Sequence, residues 1–333
     1  MLASTLTPSA IVRELDQYVI GQDAAKKIIA VAVYAHFRKI DRAGRSDNAV
    51  AKSNVLLIGP SGTGKTLMCE TLSKILDVPF VTAEATALAQ TRFVNEEIEA
   101  VLLRLIERAQ GDVDAARRGI VFIDEIDKLK SGSSRDGGSS GESVQHALLK
   151  IMEGAQVKVG GGQYLDTTDV LFICGGAFVA LDEIIKSQTH GYGFIATSTG
   201  DNRKILDRLN SRVKPTDLFT YGLIPEFTGR LPIIARFDPL TRATLVRIMT
   251  EPRNAIYPQF RDIFDAEGVE LVVESKVFEQ ISELAIEYKT GARSLRGLFE
   301  ELVTPILYDV PDDKGIRKVV VSSMFSEPEY LRG

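Results

Sequence analysis

Two cysteines, three histidines and no tryptophan in 333 residues leave little material for a metal centre or a covalent framework. Cys69 and Cys174 make neither a disulfide scaffold nor a zinc quartet. His36, His146 and His190 stand far apart in sequence, as packing or surface residues do. No stretch approaches the roughly 20 consecutive apolar residues that a membrane span needs. The opening residues, Met1 to Pro8, lack the basic start and apolar run of a secretory signal, which points to the cytoplasm. An excess of positive charge is missing too. The formal net charge of −5 gives no field for non-specific nucleic-acid binding, which draws on a basic face.

What is present is apolar material in quantity, 44% of the chain, enough for a large core or two domains. Up to about residue 235, short apolar runs alternate with helical patterns. The runs are Val55 to Ile58, Pro79 to Val81, Ile120 to Ile123 and Val170 to Ile173. Such runs suit strands buried on both faces of a parallel sheet. Between them, Leu67, Leu72, Ile75 and Leu76 recur at helical spacing, as do Val144, Leu148, Ile151 and Met152. Strand and helix in alternation predict an α/β domain with helices on both faces.

After about Pro239 the texture changes. Leu245 to Met249, Ala255 to Phe264, Val277 to Tyr288 and Leu298 to Tyr308 read as helices, with short β-rich pieces at Val269 to Val273 and Val319 to Val321. The expected organisation is an α/β domain over residues 1–236 and a smaller, mainly helical domain over 237–333. Lys130 to Ser143 and the triple glycine Gly160 to Gly162 read as loops, either solvated linkers or functional segments.

Gly59-Pro60-Ser61-Gly62-Thr63-Gly64-Lys65-Thr66 fits the phosphate-binding loop pattern completely, with an apolar strand before it and a helix starting within it. Glycines let successive backbone N–H groups turn toward phosphate oxygens, and the helix N-terminus adds partial positive charge. Lys65 can reach the β- and γ-phosphates of a nucleotide, and the Thr66 hydroxyl can ligate Mg²⁺. A second element, Ile120 to Glu125, ends an apolar strand in two carboxylates, where parallel sheets place their ligand sites. Alone it would pass for a solvated acidic turn. Beside a phosphate loop, Asp124 suits the Mg²⁺ ion, through a water, and Glu125 suits the base that orients the attacking water. Phosphoryl transfer also needs cations placed against developing charge. Arg230 and Arg293 are candidates that composition does not distinguish from surface arginines.

Several words of the sequence go further. Tyr18-Val19-Ile20-Gly21-Gln22, Phe122-Ile123-Asp124-Glu125-Ile126-Asp127-Lys128, Cys174-Gly175-Gly176-Ala177-Phe178, Gly222-Leu223-Ile224-Pro225-Glu226-Phe227 and Lys289-Thr290-Gly291-Ala292-Arg293 closely resemble the ClpX family of AAA+ unfoldases. The resemblance runs from about Leu6 to about Ser322. HslU, a close relative of that family, carries a large inserted domain where this chain has only Val94 to Gly119. The resemblance implies an AAA+ large domain followed by a small helical domain. It implies a homo-hexamer that hydrolyses ATP with Mg²⁺, threads unfolded or tagged proteins through its pore and feeds a ClpP-type peptidase. It places Tyr18, Val19 and Ile20 at the adenine, and Gly59 to Leu67 around the phosphates. Arg230 becomes the finger that reaches a neighbour's ATP, and Arg293 the sensor in its own subunit. A stand-alone remodelling ATPase and a nucleic-acid remodeller are the rival readings; the acidic balance argues against the second.

The chain departs from the family pattern in four places. The family's usual four-cysteine zinc module has no counterpart in this sequence. The first pore loop, Gly-Tyr-Val-Gly in the family, reads Arg92-Phe93-Val94-Asn95, which keeps an aromatic paddle at Phe93 beside Val94 and loses both glycines. Gly160 to Gly162 replace a basic loop expected before Tyr164. The peptidase-docking tip, usually Ile-Gly-Phe, reads Tyr192-Gly193-Phe194.

Overall fold

The computed structural model describes residues 6–42, 52–91, 93–130, 140–189 and 213–333. These divide into two compact units, and the division does not follow the chain simply. One unit gathers Ala24–Pro60 and Cys69–Phe237, together with the residues up to Ile11. The other gathers Val12–Asp23, Ser61–Met68 and Asp238–Gly333.

The first unit is built on a five-stranded parallel sheet of β1 (Val55–Ile58), β2 (Phe80–Glu84), β3 (Ile120–Asp124), β6 (Leu171–Gly176) and β7 (Ile233–Arg236), in the order β2-β3-β6-β1-β7. All four residues of β1 and all six of β6 are buried, as central strands covered on both faces require. Helices α1 (Pro8–Asp16) and α2 (Asp23–Arg42) precede this sheet. Helices α3 (Lys65–Leu76), α4 (Ala85–Gln90), α5 (Val94–Arg108), α6 (Val113–Arg117), α7 (Gly141–Glu153) and α8 (Leu181–Thr189) separate its strands. Its core joins sheet residues such as Val121, Phe172 and Cys174 to helix residues such as Leu102, Leu148 and Phe227.

Three features differ from the expectation. The Pro79–Val81 run forms β2 at the edge of the sheet, with burial alternating along it, so it is not a strand buried on both faces. The loop expected through Ser143 is partly helix: Ser140 caps α7, its hydroxyl accepting from the Ser143 N–H at 3.2 Å. The triple glycine is the turn of an antiparallel hairpin, β4 (Gln156–Val159) and β5 (Gln163–Asp166), whose polar sequence hides the strands.

In the second unit, the helices Arg242–Thr250, Ile256–Ala266, Ser275–Glu287 and Leu295–Asp309 surround an aromatic core. Phe299 lies 5.4 Å from Phe260 and 6.2 Å from Phe278, measured between ring centroids. β8 (Glu270–Val273) and β9 (Ile316–Val321) match the two β-rich pieces, and β10 (Glu329–Arg332) adds an antiparallel edge beyond them. That last strand is largely exposed and polar, so no apolar run announces it.

Candidate active site

In the second unit the phosphate loop lies against the turn that carries Arg293. A Cβ on Gly62, which has φ +76°, would sit 2.4 Å from the Thr290 carbonyl, so only glycine fits. The Ala292 N–H donates to the Gly62 carbonyl at 3.2 Å. A side chain on Gly291 would crowd the Ser61 carbonyl at 3.0 Å. Gly64, at φ +95°, has open space where a Cβ would be. The cradle of Ser61, Gly62, Thr63 and Gly64 leads directly into α3, whose first residues are Lys65 and Thr66. Lys65 and Thr63 are buried; Leu67 is exposed. Arg293 is exposed in a short 3-10 turn, Gly291–Ser294.

The Tyr18 strip belongs to the same unit. Val19 and Ile20 are buried and Tyr18 is half-buried. The Gln22 side chain fixes this strip doubly: its amide donates to the Asp238 carbonyl at 2.9 Å, and its oxygen accepts from the Asp238 N–H at 2.8 Å. The Arg253 N–H adds a bond to the Gln17 carbonyl at 3.0 Å.

In the first unit, Gly59 and Pro60 leave the C-terminal end of β1 at the same sheet edge at which Asp124 ends β3. The Gly59 N–H donates to the Gly176 carbonyl at 3.2 Å, and a Cβ on Gly59 would stand 2.5 Å from the Phe237 carbonyl. Asp124 accepts from the Glu125 N–H at 2.8 Å. A Cβ on Gly175 would crowd the Asp124 carboxylate at 3.2 Å and the Phe122 ring at 2.7 Å. Glu125 takes left-handed backbone angles, φ 58° and ψ 31°, uncommon for a residue with a Cβ. Its carboxylate accepts a 2.9 Å hydrogen bond from the Thr86 hydroxyl. Two residues on, the buried Asp127 accepts from the Ala177 and Phe178 N–H groups, each at 3.3 Å, and pins the exit of β6 beside this turn.

Arg230 follows the short helix Pro225–Gly229 and pairs with Glu153 at 2.6 Å, both side chains half exposed. Its backbone carbonyl is held by Asn54, which also bonds the Met152 carbonyl and the Phe172 N–H. Phe93 precedes α5 and is 64% exposed, while Val94 starts the helix and is buried. Tyr192, Gly193 and Phe194 lie outside the described residues. Cys69 and Cys174 are fully buried, and burial pushes both thiols up, so neither is a nucleophile.

Sequence reasoning missed Thr86, Asn54 and Gln145. Asn54 carried a faint signal, a polar residue immediately before a wholly apolar strand. Thr86 carried none, because its partner lies 39 residues away.

Residues 50–234 match the AAA domain model of the Cdc48 subfamily. With the parallel sheet and the phosphate loop at the end of β1, this defines the class: the protein is a nucleotide-binding AAA ATPase. Two curated relatives narrow it. The ATP-dependent Clp protease ATP-binding subunit ClpX 3 of Methylococcus capsulatus is 42% identical over 95% of this chain and 79% of its own length. The ClpX subunit of Treponema denticola is 42% identical over 95% of this chain and 80% of its own length. The chain belongs to the ClpX family. No helix among the described residues is long and apolar enough to cross a membrane.

Proposed function

We propose that the chain is the motor subunit of a cytoplasmic homo-hexameric ring that hydrolyses ATP to unfold proteins and thread them through its pore. Its architecture is read as a large domain over residues 1–236 and a small domain over 237–333. The observation that carries the reading is the Glu125 carboxylate. It is fixed by Thr86 at the end of β3, in a sheet whose β1 runs straight into a complete phosphate loop.

Lys65 and the backbone N–H groups between Ser61 and Leu67 bind the phosphates, with Gly59 and Pro60 shaping the entry to the loop and Tyr18, Val19 and Ile20 against the adenine. The Thr66 hydroxyl and the Asp124 carboxylate are hard oxygen donors suited to Mg²⁺, which neutralises phosphate charge when bound. Glu125 orients water and accepts its proton. Arg230 meets the charge that develops at a neighbour's γ-phosphate, and Arg293 reports nucleotide to the small domain of its own subunit. Phe93 and Val94 press on the polypeptide. Both relatives are named as ATP-binding subunits of the Clp protease, which supports a ClpP-type peptidase as partner, engaged through Tyr192, Gly193 and Phe194.

Two variants test the site. Glu125→Gln is expected to bind ATP with parental affinity and to lose nearly all hydrolysis, whereas Lys65→Ala loses the binding itself. Equal loss of affinity in both contradicts these roles. The peptidase is tested by co-sedimentation with the ATP-bound Glu125→Gln ring. Binding that disappears with Phe194→Ala while the hexamer persists is the expected result, and no binding by the parent ring contradicts it.

A further inference from the structure

One buried side chain joins the two segments that carry opposite ends of the hydrolysis chemistry. Gln145, in the second turn of α7, has no exposed surface. Its amide nitrogen donates to the Leu129 carbonyl at 2.7 Å. Its oxygen accepts from the Ile224 N–H at 2.9 Å. A carbonyl needs a donor and an N–H needs an acceptor, so these two partners fix the orientation of the amide.

Each partner lies a few residues from a candidate catalytic group. Leu129 closes the 3-10 turn that begins at Glu125. The Lys128 N–H donates to the Glu125 carbonyl at 3.0 Å, and the Leu129 N–H donates to the Ile126 carbonyl at 3.1 Å. A shift at Leu129 therefore reaches Glu125 through a closed hydrogen-bonded turn. Ile224 caps the helix Pro225–Gly229, whose other end is Arg230.

Helix α7 is clamped at both ends as well. At its start, a Cβ on Gly141 would lie 2.6 Å from the Leu129 carbonyl, so helix and turn touch backbone to backbone. At its end, Glu153 pairs with Arg230 at 2.6 Å. Asn54 then bridges the Met152 and Arg230 carbonyls at 3.3 and 3.1 Å. The helix is a strut between the Glu125 turn and the Arg230 segment, and Gln145 is its buried polar fastening to both.

We propose that Gln145 is a positioning residue that holds the Glu125 turn and the Arg230 helix in one register, so that a subunit's own carboxylate and the arginine it offers its neighbour are set together. This rests on the reading that Arg230 acts on the adjacent subunit's ATP.

The test uses Gln145→Leu, which keeps the volume and removes both bonds. In homomeric rings the KM for ATP is expected to stay within about threefold while kcat falls about tenfold or more, as misplacement of reacting groups produces. Mixed rings separate the two ends. Parent subunits are combined either with Glu125→Gln subunits or, at the same ratio, with subunits carrying Glu125→Gln and Gln145→Leu. The added subunits hydrolyse almost nothing in either case, so with incorporation and ATP binding verified as equal, a difference reports the arginine they present. The double variant is expected to depress the ring severalfold further, and equal rates overturn the proposal. If Gln145→Leu fails to fold, Gln145→Met keeps an unbranched chain of similar length and removes both bonds. It should lower kcat in intact hexamers, and parental turnover there overturns the proposal. A separate mixture of Arg230→Ala with Lys65→Ala subunits should regain activity. No recovery in verified mixed hexamers refutes the shared-site reading itself, independently of Gln145.

Discussion

Thr86 donates a 2.9 Å hydrogen bond to the carboxylate of Glu125, across 39 residues of sequence. Thr86 is the second residue of α4, which begins directly where β2 ends, and β2 pairs with β3 as far as Glu84 opposite Asp124. The sheet register therefore sets the distance between hydroxyl and carboxylate.

A carboxylate held by one donor loses its orientation when the donor goes. Thr86→Val preserves shape and removes the hydroxyl. With Glu125 in its proposed role of orienting water, it is expected to lower kcat for ATP severalfold with little change in KM, since the bond is made to the Glu125 carboxylate. Thr86→Ser should retain parental kcat. Steady-state hydrolysis decides, and a faster Thr86→Val enzyme would mean that the bond restrains Glu125 instead of aiming it.

His36 gives the fold an acid-sensitive element far from this chemistry. Its Nε2 lies 2.9 Å from the Asp169 carbonyl, within a buried site. Burial, aided by Lys52, Lys39 and Arg118, lowers its pKa from 6.5 to about 4, against the opposing pull of the Asp169 carbonyl. Between those values the unfolded chain binds a proton that the folded chain refuses. The stability is thus intact above pH 6.5 and is lost as pH falls toward 4. From pH 7.5 to pH 5 the parent should lose about 2 kcal/mol more than His36→Gln, readable by urea unfolding at the two values. Lys52, pushed down to about 7 mainly by burial, titrates in both proteins and largely cancels in the comparison. Equal losses would contradict the account.

Phe93 is 64% exposed at the start of α5, so its truncation removes little from the core. Phe93→Ala should leave thermal stability within about 0.5 kcal/mol of the parent, as surface substitutions do. Hydrolysis should persist within severalfold while unfolding of a stable tailed protein is lost. A variant that unfolds the tailed protein as fast as the parent would rule out the proposed gripping role of Phe93.

Much of this molecule was legible in its sequence. β1, β3 and β6 are continuous apolar runs because they are covered on both faces, and the helices after Thr241 follow from their apolar spacing. Residues 59–66 were legible as the passage from β1 into α3, because the phosphate-loop pattern sets glycines at fixed intervals between a strand and a helix. The missed strands are at edges or in a polar hairpin, where burial imposes a weaker pattern: β4, β5, β7 and β10 each show at most one fully buried residue. The supporting polar residues were missed for another reason. Gln145 bonds to Leu129 and Ile224, 16 and 79 residues away, and neither spacing leaves a local trace. Arg230 and Arg293 were nameable only through the family words around them, since an exposed arginine looks the same wherever it lies.

Loss of native fluorescence from a stable fluorescent protein bearing a long unstructured tail measures directly whether ATP hydrolysis at the proposed Glu125 site is coupled to pulling polypeptide. With tails of several compositions, the parent ring in ATP is expected to abolish fluorescence for at least one of them. ADP, or ATP with the Glu125→Gln ring, should leave it intact. Steady ATP hydrolysis by the parent with fluorescence unchanged for every tail would contradict that coupling.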